Sequence, residues 1–158
     1  MKALIVEDNR RKQRDVIQLL KKYNIEEITV EQFVSQAIRR VQSTKFDILV
    51  TDLGLPRFID LPIIEDEREG LKMLFDLERD GIKIPALIYS TTDLYQHHIN
   101  YLEDIEYPIY GQAKNMEELE SNLVCLLSGK TETIIPISKP DIDQRNKVKQ
   151  KEPKWYGE

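Results

Sequence analysis

Acidic and hydroxyl side chains follow the apolar runs of this sequence, at positions where they could bind a cation. Glu7 and Asp8 follow the first apolar run, Asp52 follows a second, and Ser90 follows a third. Carboxylates that meet at a half-buried place repel one another, and each is costly to bury alone. A hard cation such as Mg2+, which prefers oxygen ligands, would compensate their charge.

Five runs of strand length alternate with five stretches of helical periodicity, and together they can position these side chains. The predicted strands are Ala3–Val6, Glu27–Phe33, Phe46–Val50, Ile84–Tyr89 and Ile105–Tyr110. The predicted helices are centred on Val16–Tyr23, Val34–Val41, Leu71–Phe75, Leu94–Leu102 and Met116–Leu127. The last strand is the weakest because Pro108 has no N–H for a ladder hydrogen bond. Buried strands that alternate with helices predict an α/β fold with a five-stranded, doubly wound parallel sheet of the flavodoxin-like kind.

This fold would bring the polar residues together at one rim of the sheet. Ligands of open α/β sheets bind outside the carboxyl ends of the strands. Glu7, Asp8, Asp52 and Ser90 all fall at such ends. We therefore expect a cation site formed by the three carboxylates, with Ser90 or Thr91 close enough to hydrogen-bond an oxygen that the cation holds.

The composition is that of one globular domain with an appended tail. The chain has 158 residues, is 41% hydrophobic and carries a net charge of −5, which argues against general binding to nucleic acids or anionic membranes. The one cysteine, Cys125, excludes an internal disulfide and fits a reducing compartment. The sequence has no signal-peptide pattern and no apolar run of membrane-spanning length. We expect a cytoplasmic protein without direct contact to nucleic acid or membrane.

Two parts of the chain depart from the alternating pattern. Residues 1–129 form the predicted domain, whereas residues 130–158 lose all periodicity and become rich in charge and proline, which is typical of a tail. This tail is either a solvated terminus or an arm that docks on the acidic body or a partner. Inside the domain, residues 57–69 mix acids, prolines and apolar side chains. They are either a plain surface loop or a functional lid or docking surface.

Four motifs occur in order: "LIVEDN", "DILVTDLGLP", "REGLKML" and "IPALIYST". With them the sequence resembles the receiver domain of two-component response regulators, over nearly all of residues 1–129. The resemblance implies that Asp52 is the phosphoacceptor. It also implies that the backbone carbonyl of Gly54 joins Asp8 and Asp52 in holding Mg2+, while Glu7 contributes through metal-bound water. Ser90 would hydrogen-bond the acyl phosphate.

The sequence departs from the receiver pattern at the fifth strand, at residues 57–69 and at Thr91, where receivers usually have a small residue. Receivers carry a lysine at the end of the fifth strand, where its ammonium pairs with the phosphoryl group. Counting back from the last helix places Gln112 at that position, and Lys114 can take the role if the turn before the helix is longer. In typical receivers only a short loop separates the phosphoacceptor motif from the acid–Gly pair that starts the next helix, so here residues 57–69 are an insertion.

The sequence therefore predicts a phosphorylatable receiver without enzymatic activity of its own beyond self-phosphorylation and dephosphorylation. Its expected partners are a histidine kinase or phosphotransfer protein and an output protein of unknown identity. The chain as given leaves little room for a DNA-binding domain, so we expect output through protein contacts, with a homodimer left open. The alternative is a pseudo-receiver that acts as an interaction module without phosphorylation. Gln112 and the insertion favour this alternative, and the acidic triad opposes it.

Overall fold

The computed structural model describes residues 1–58, 69–92 and 94–129, in which five strands alternate with five helices. The strands are β1 (Lys2–Val6), β2 (Glu27–Glu31), β3 (Ile48–Thr51), β4 (Ala86–Tyr89) and β5 (Ile109–Ala113). The helices are α1 (Arg10–Lys22), α2 (Val34–Ser43), α3 (Glu69–Arg79), α4 (Gln96–Asp104) and α5 (Met116–Leu127). The predicted alternation of strands and helices is confirmed.

All strand pairs are parallel, and the strand order is β2-β1-β3-β4-β5. This is the predicted doubly wound, flavodoxin-like (βα)5 arrangement. The chain moves outward from β1 to β2 on one side and returns to β3 on the other. Open sheets of this kind form a ligand-binding crevice where the strand order reverses, and that point lies between β1 and β3.

Helices cover both faces of the sheet, as parallel strands require. Side chains alternate between the faces along each strand. In β1, Ala3 and Ile5 pack in the apolar layer formed with α1 and α5. Leu4 and Val6 pack in the opposite layer with α2, α3 and α4. Because β1 is buried on both faces, its end is a fixed point from which the following residues project.

The fifth strand begins and ends later than the sequence predicts. We predicted Ile105–Tyr110, and the structure has Ile109–Ala113. The register between β4 and β5 shifts by one residue before Gln112, and Gly111 has a φ of 114°, so β5 contains a bulge. The bulge interrupts the two-residue period and hides the strand from pattern analysis. It also places Gln112 inside the strand and Lys114 just beyond its end.

Most of the predicted insertion (57–69) and the whole predicted tail (130–158) lie outside the described residues. The two ends of the insertion are described, and they are held by an ion-pair network. Arg57 contacts Glu69 Oε1 through Nε at 2.5 Å and Asp76 Oδ2 through Nη2 at 2.9 Å. The loop after β3 is thereby fastened to α3. Within the described ranges, no helix has the length and apolar character needed to cross a bilayer.

Candidate functional site

Three carboxylates meet at the rim between β1 and β3. Carboxylate oxygens of Glu7, Asp8 and Asp52 all lie within 4.8 Å of one another. The pairing of Val6 with Thr51 explains the meeting, because Glu7 and Asp52 are the next residues of two adjacent parallel strands. The structure thus brings together the three acidic residues that the sequence analysis singled out.

The two oxygens of the Asp52 carboxylate have different surroundings. Oδ1 accepts hydrogen bonds from the backbone N–H groups of Leu53 at 2.6 Å and Gly54 at 3.4 Å. Oδ2 faces a cation instead: the Lys12 ammonium lies 3.1 Å away. The backbone amides therefore orient the carboxylate, and Oδ2 is the oxygen directed into the site.

Lys12 is a member of this site that the sequence analysis missed. Its Nζ lies 3.0 Å from Glu7 Oε1 and 3.1 Å from Asp52 Oδ2, and it donates to the carbonyl oxygen of Tyr89 at 3.4 Å. It also lies 4.8 Å from the centre of the Tyr89 ring. Burial is the largest single influence and would lower the pKa of Lys12, but the charges of Asp52 and Glu7 and the hydrogen bonds to both together raise it, so the side chain stays protonated.

The start of α1 explains how Lys12 reaches the rim. The Asn9 side chain caps the helix by accepting the Lys12 N–H at 3.0 Å, so Lys12 lies in the first turn. Side chains of a helix lean toward its N-terminus, which here points at the strand ends. The run Arg10–Lys12 was an available signal, because cations at a helix N-terminus oppose the helix dipole and need a nearby acid.

The Glu7 carboxylate is buried, with 4% of its side chain exposed. Burial, together with the negative charge of Asp52, raises the pKa of Glu7 to about 7. The N–H of Asn9 and the ammonium of Lys12 act in the opposite direction but do not offset burial. Glu7 is thus costly to ionise in the site unless more positive charge is supplied.

A close contact of Gly70 holds the backbone of Asp52 in place. A Cβ on Gly70 would lie 1.9 Å from the carbonyl oxygen of Asp52, so no other residue fits without movement. The Gly70 N–H also donates to the carbonyl of Leu53 at 3.0 Å. The Glu69-Gly70 pair begins α3, as predicted, and it packs the start of that helix directly on the Asp52 backbone.

The predicted residues of β4 and β5 lie on the other side of Asp52. Ser90 is buried directly after β4, and its Oγ accepts the N–H of Thr92 at 3.1 Å. Gln112 is buried, and its Nε2 donates to the carbonyls of Ser90 at 3.0 Å and Thr92 at 2.5 Å. Gln112 therefore clamps the loop after β4. Lys114 is exposed beyond the end of β5, where its backbone N–H donates to Glu118 Oε1 at 2.8 Å.

The donor set fits a divalent metal ion. Carboxylates grouped this closely are the ligands that Mg2+ prefers, and the oxygens of Glu7, Asp8 and Asp52 are within reach of one ion. The Lys12 ammonium contacts two of these three carboxylates. A metal ion and Lys12 would therefore share the charge of the site and compete for some of its oxygens.

Among the comparisons with known proteins, the one with solved structures bears on the fold. No family model and no curated protein sequence matches this chain. Solved structures do match. RcsB from Salmonella enterica serovar Typhimurium, bound to promoter DNA with the phosphomimetic BeF3−, has a TM-score of 0.62 and 17% identity over 87% of this chain. This chain spans 64% of the length of that RcsB chain.

Two isolated receivers match over nearly their whole length. The BeF3-activated receiver domain of Klebsiella pneumoniae RstA has a TM-score of 0.60 and 22% identity, over 80% of this chain and 98% of RstA's. A response regulator receiver protein from Pseudoalteromonas atlantica has a TM-score of 0.63 and 12% identity, over 82% and 98%. At these identities the likeness concerns the fold. The chain has the fold of a response regulator receiver domain.

Proposed function

Because the chain has the receiver fold, we propose that it is a phosphoacceptor in two-component signal transduction, with Asp52 as the modified residue. One observation carries this proposal: the carboxylate of Asp52 lies with those of Glu7 and Asp8 at the point where the strand order reverses. A ligand of this fold is expected at that point. A pure scaffold gains nothing from three carboxylates brought within 4.8 Å of one another.

The chemistry is a phosphoryl transfer to a carboxylate. Asp52 Oδ2 attacks the phosphorus of a phosphohistidine on the donor protein. The P–N bond breaks, its electron pair returns to the imidazole, and an acyl phosphate forms. The N–H groups of Leu53 and Gly54 hold Oδ1 and so keep Oδ2 directed at the donor. Mg2+, when held by Asp8, Asp52 and the Gly54 carbonyl, with Glu7 acting through water, would neutralise charge on the phosphoryl oxygens.

The partners follow from this role. A histidine kinase or a phosphotransfer protein supplies the phosphoryl group, and we propose cytoplasmic signalling with output through protein–protein contacts. The loop after β4 is joined to β5 by Gln112, whose amide donates to the carbonyls of Ser90 and Thr92. Phosphorylation that shifts Ser90 would therefore be felt at β5.

Mass spectrometry with a small phosphodonor tests the proposal. The full chain is incubated with Mg2+ and acetyl phosphate, and Asp52→Asn is compared with Asp80→Asn, which removes the same charge at an exposed position after α3. We expect the mass of one phosphoryl group on the wild type and on Asp80→Asn, and none on Asp52→Asn. An unmodified wild type that also fails to bind beryllofluoride would contradict the proposal.

The second candidate function is a pseudo-receiver that acts as an interaction module. It is favoured by Lys12, whose ammonium compensates part of the charge of Asp52 and Glu7. Gln112 at the usual lysine position favours it as well. The unmodified wild type described above is the result that this alternative predicts.

A further inference from the structure

We propose that Lys12 is the cation that pairs with the phosphoryl group on Asp52, in place of a lysine at the end of β5. This inference rests on the proposed phosphoacceptor function. It assigns to the first turn of α1 a role that the sequence analysis sought in Lys114 or Gln112.

The Lys12 ammonium lies next to the Asp52 oxygen that would react. Asp52 Oδ1 is held by two backbone amides, so Oδ2 is the oxygen that would bond to phosphorus. Lys12 Nζ lies 3.1 Å from this oxygen. A phosphoryl group on Oδ2 would carry its own oxygens next to Nζ, where charge-assisted hydrogen bonds are strongest.

Lys12 does not depend on Asp52 alone for its position. Its ammonium is also held by Glu7 Oε1 at 3.0 Å and by the carbonyl of Tyr89 at 3.4 Å. The Tyr89 ring adds a cation–π contact. The cation therefore has anchors just after β1 and on β4, on both sides of β3. It stays beside Asp52 when the Asp52 carboxylate becomes an acyl phosphate.

Gln112 and Lys114 lie at the end of β5, where the sequence analysis expected the pairing cation. The Gln112 amide nitrogen is committed to the carbonyls of Ser90 and Thr92, and it carries no charge. Lys114 is exposed after the strand end, and its backbone turns into α5 through the contact with Glu118. Within the described part of the chain, Asp52 forms an ion pair with Lys12.

Lys12 compensates only part of the negative charge of the three carboxylates. One ammonium compensates one of three carboxylate charges when Glu7 is ionised. The remaining charge equals that of a divalent cation, so Lys12 and Mg2+ can act together. If Lys12 were only a substitute for the metal, its removal would improve both Mg2+ binding and phosphorylation. The effect of removing Lys12 on phosphorylation therefore distinguishes a cation that pairs with the phosphoryl group from a substitute for the metal.

The test compares three variants of the full chain. Lys12→Gln removes the ammonium and keeps a hydrogen-bond donor, and Lys12→Arg restores the charge. Arg11→Gln is the matched control, because it removes one charge from the same exposed helix turn. For each chain we would measure the rate of phosphorylation by acetyl phosphate with Mg2+, the Mg2+ affinity by calorimetry, and the rise in Tm caused by beryllofluoride.

We expect Lys12→Gln to lose about tenfold to hundredfold in phosphorylation rate and most of the beryllofluoride response, since a hydrogen bond to a charged group is lost. Its Mg2+ affinity should stay equal or increase. Lys12→Arg should recover part of both losses, and Arg11→Gln should behave as wild type. Unchanged or faster phosphorylation of Lys12→Gln would overturn the inference while leaving the proposed function standing. A wild type that is never phosphorylated would instead overturn the proposed function itself.

Discussion

At the scale of single residues, the site holds an acid whose ionisation opposes folding. Glu7 is buried next to Asp52, and its pKa is raised to about 7 from an ordinary value near 4.5. The folded-state pKa is therefore above that of the unfolded chain. Linkage then gives full stability below the unfolded pKa, and a loss as the pH rises through the folded pKa. The contribution of Glu7 should therefore make the metal-free protein less stable at pH 8 than at pH 5.

Glu7→Gln removes this titration. Between about pH 5 and about pH 8, the wild type should lose about 2 kcal/mol more free energy of unfolding than the variant does. The measurement is urea unfolding at both pH values in the presence of a chelator. Glu117→Gln, on the exposed side of α5, is the control and should show no such pH-dependent difference. An equal effect of both variants would argue against a raised pKa in Glu7.

Some residues of this site could be predicted from the sequence, and others could not. Asp52 and Glu7 could be predicted from sequence because each ends an apolar run, and the ends of parallel strands share one rim. Lys12 could not be placed in the same way. The cations Arg10–Lys12 after Asn9 signal a nearby acid, but a lysine on a predicted helix has many exposed orientations, and only the structure shows which of them reaches the rim.

At the scale of elements, the contact between α3 and β3 determines where Asp52 lies. Gly70 in the first turn of α3 approaches the Asp52 carbonyl too closely for any side chain. Helix propensity favours alanine over glycine by about 1 kcal/mol. Here the clash with backbone outweighs that gain, because neither the buried strand nor the helix can move freely.

Gly70→Ala should therefore destabilise the protein by about 3 kcal/mol, a size typical of backbone strain in a packed core. It should also weaken the beryllofluoride response, since Asp52 must shift. Gly54→Ala is the matched control for stability, because a Cβ there meets nothing within 4 Å. Thermal and urea unfolding would measure both. A Gly70→Ala protein as stable as wild type would show that α3 can adjust.

The fifth strand shows why some elements escape prediction. The bulge at Gly111 adds one residue, so that Ile109 and Gln112 do not follow one alternating pattern. Pro108 lies just before the strand, where its missing N–H costs no ladder bond, and its carbonyl accepts the N–H of Ala86 at 2.8 Å. The proline marks where β5 begins and does not weaken it, which the pattern alone did not reveal.

At the scale of the whole molecule, the site and the fold are linked through charge. A ligand that binds the folded chain and not the unfolded one raises stability by mass action. The acidic rim is the part of the described structure with the ligands for Mg2+. Mg2+ should therefore raise the Tm of the wild type, and beryllofluoride with Mg2+ should raise it further.

Asp8→Asn tests this link because it removes one carboxylate from the cluster and leaves Lys12 its contacts with Glu7 and Asp52. We expect the Mg2+-dependent rise in Tm to fall by more than half in the variant, with little change in the metal-free Tm. Differential scanning calorimetry across a Mg2+ titration measures it. Asp15→Asn, farther along α1, serves as the control. An unchanged Mg2+ effect in Asp8→Asn would place the bound ion elsewhere.

The order of the elements and the position of the rim could be predicted because they follow from burial and from the direction of parallel strands. The clamp of Gln112 on Ser90 and Thr92 could not, since it depends on where the bulge turns one side chain. What escaped prediction is long-range: Lys12 reaches Asp52 and Tyr89, and Gln112 reaches Ser90 and Thr92, only after the sheet has formed.

The start of α2 is held by another segment of the chain. Phe33 offers no side-chain cap, and the N–H groups of Val34 and Ser35 donate to the carbonyls of Pro56 and Arg57 at 3.1 and 2.9 Å. Those carbonyls belong to the loop that follows Asp52. Any displacement of this loop therefore withdraws the acceptors from the first turn of α2. A change at the Asp52 carboxylate that moved this loop would act on the face of the molecule that carries α2.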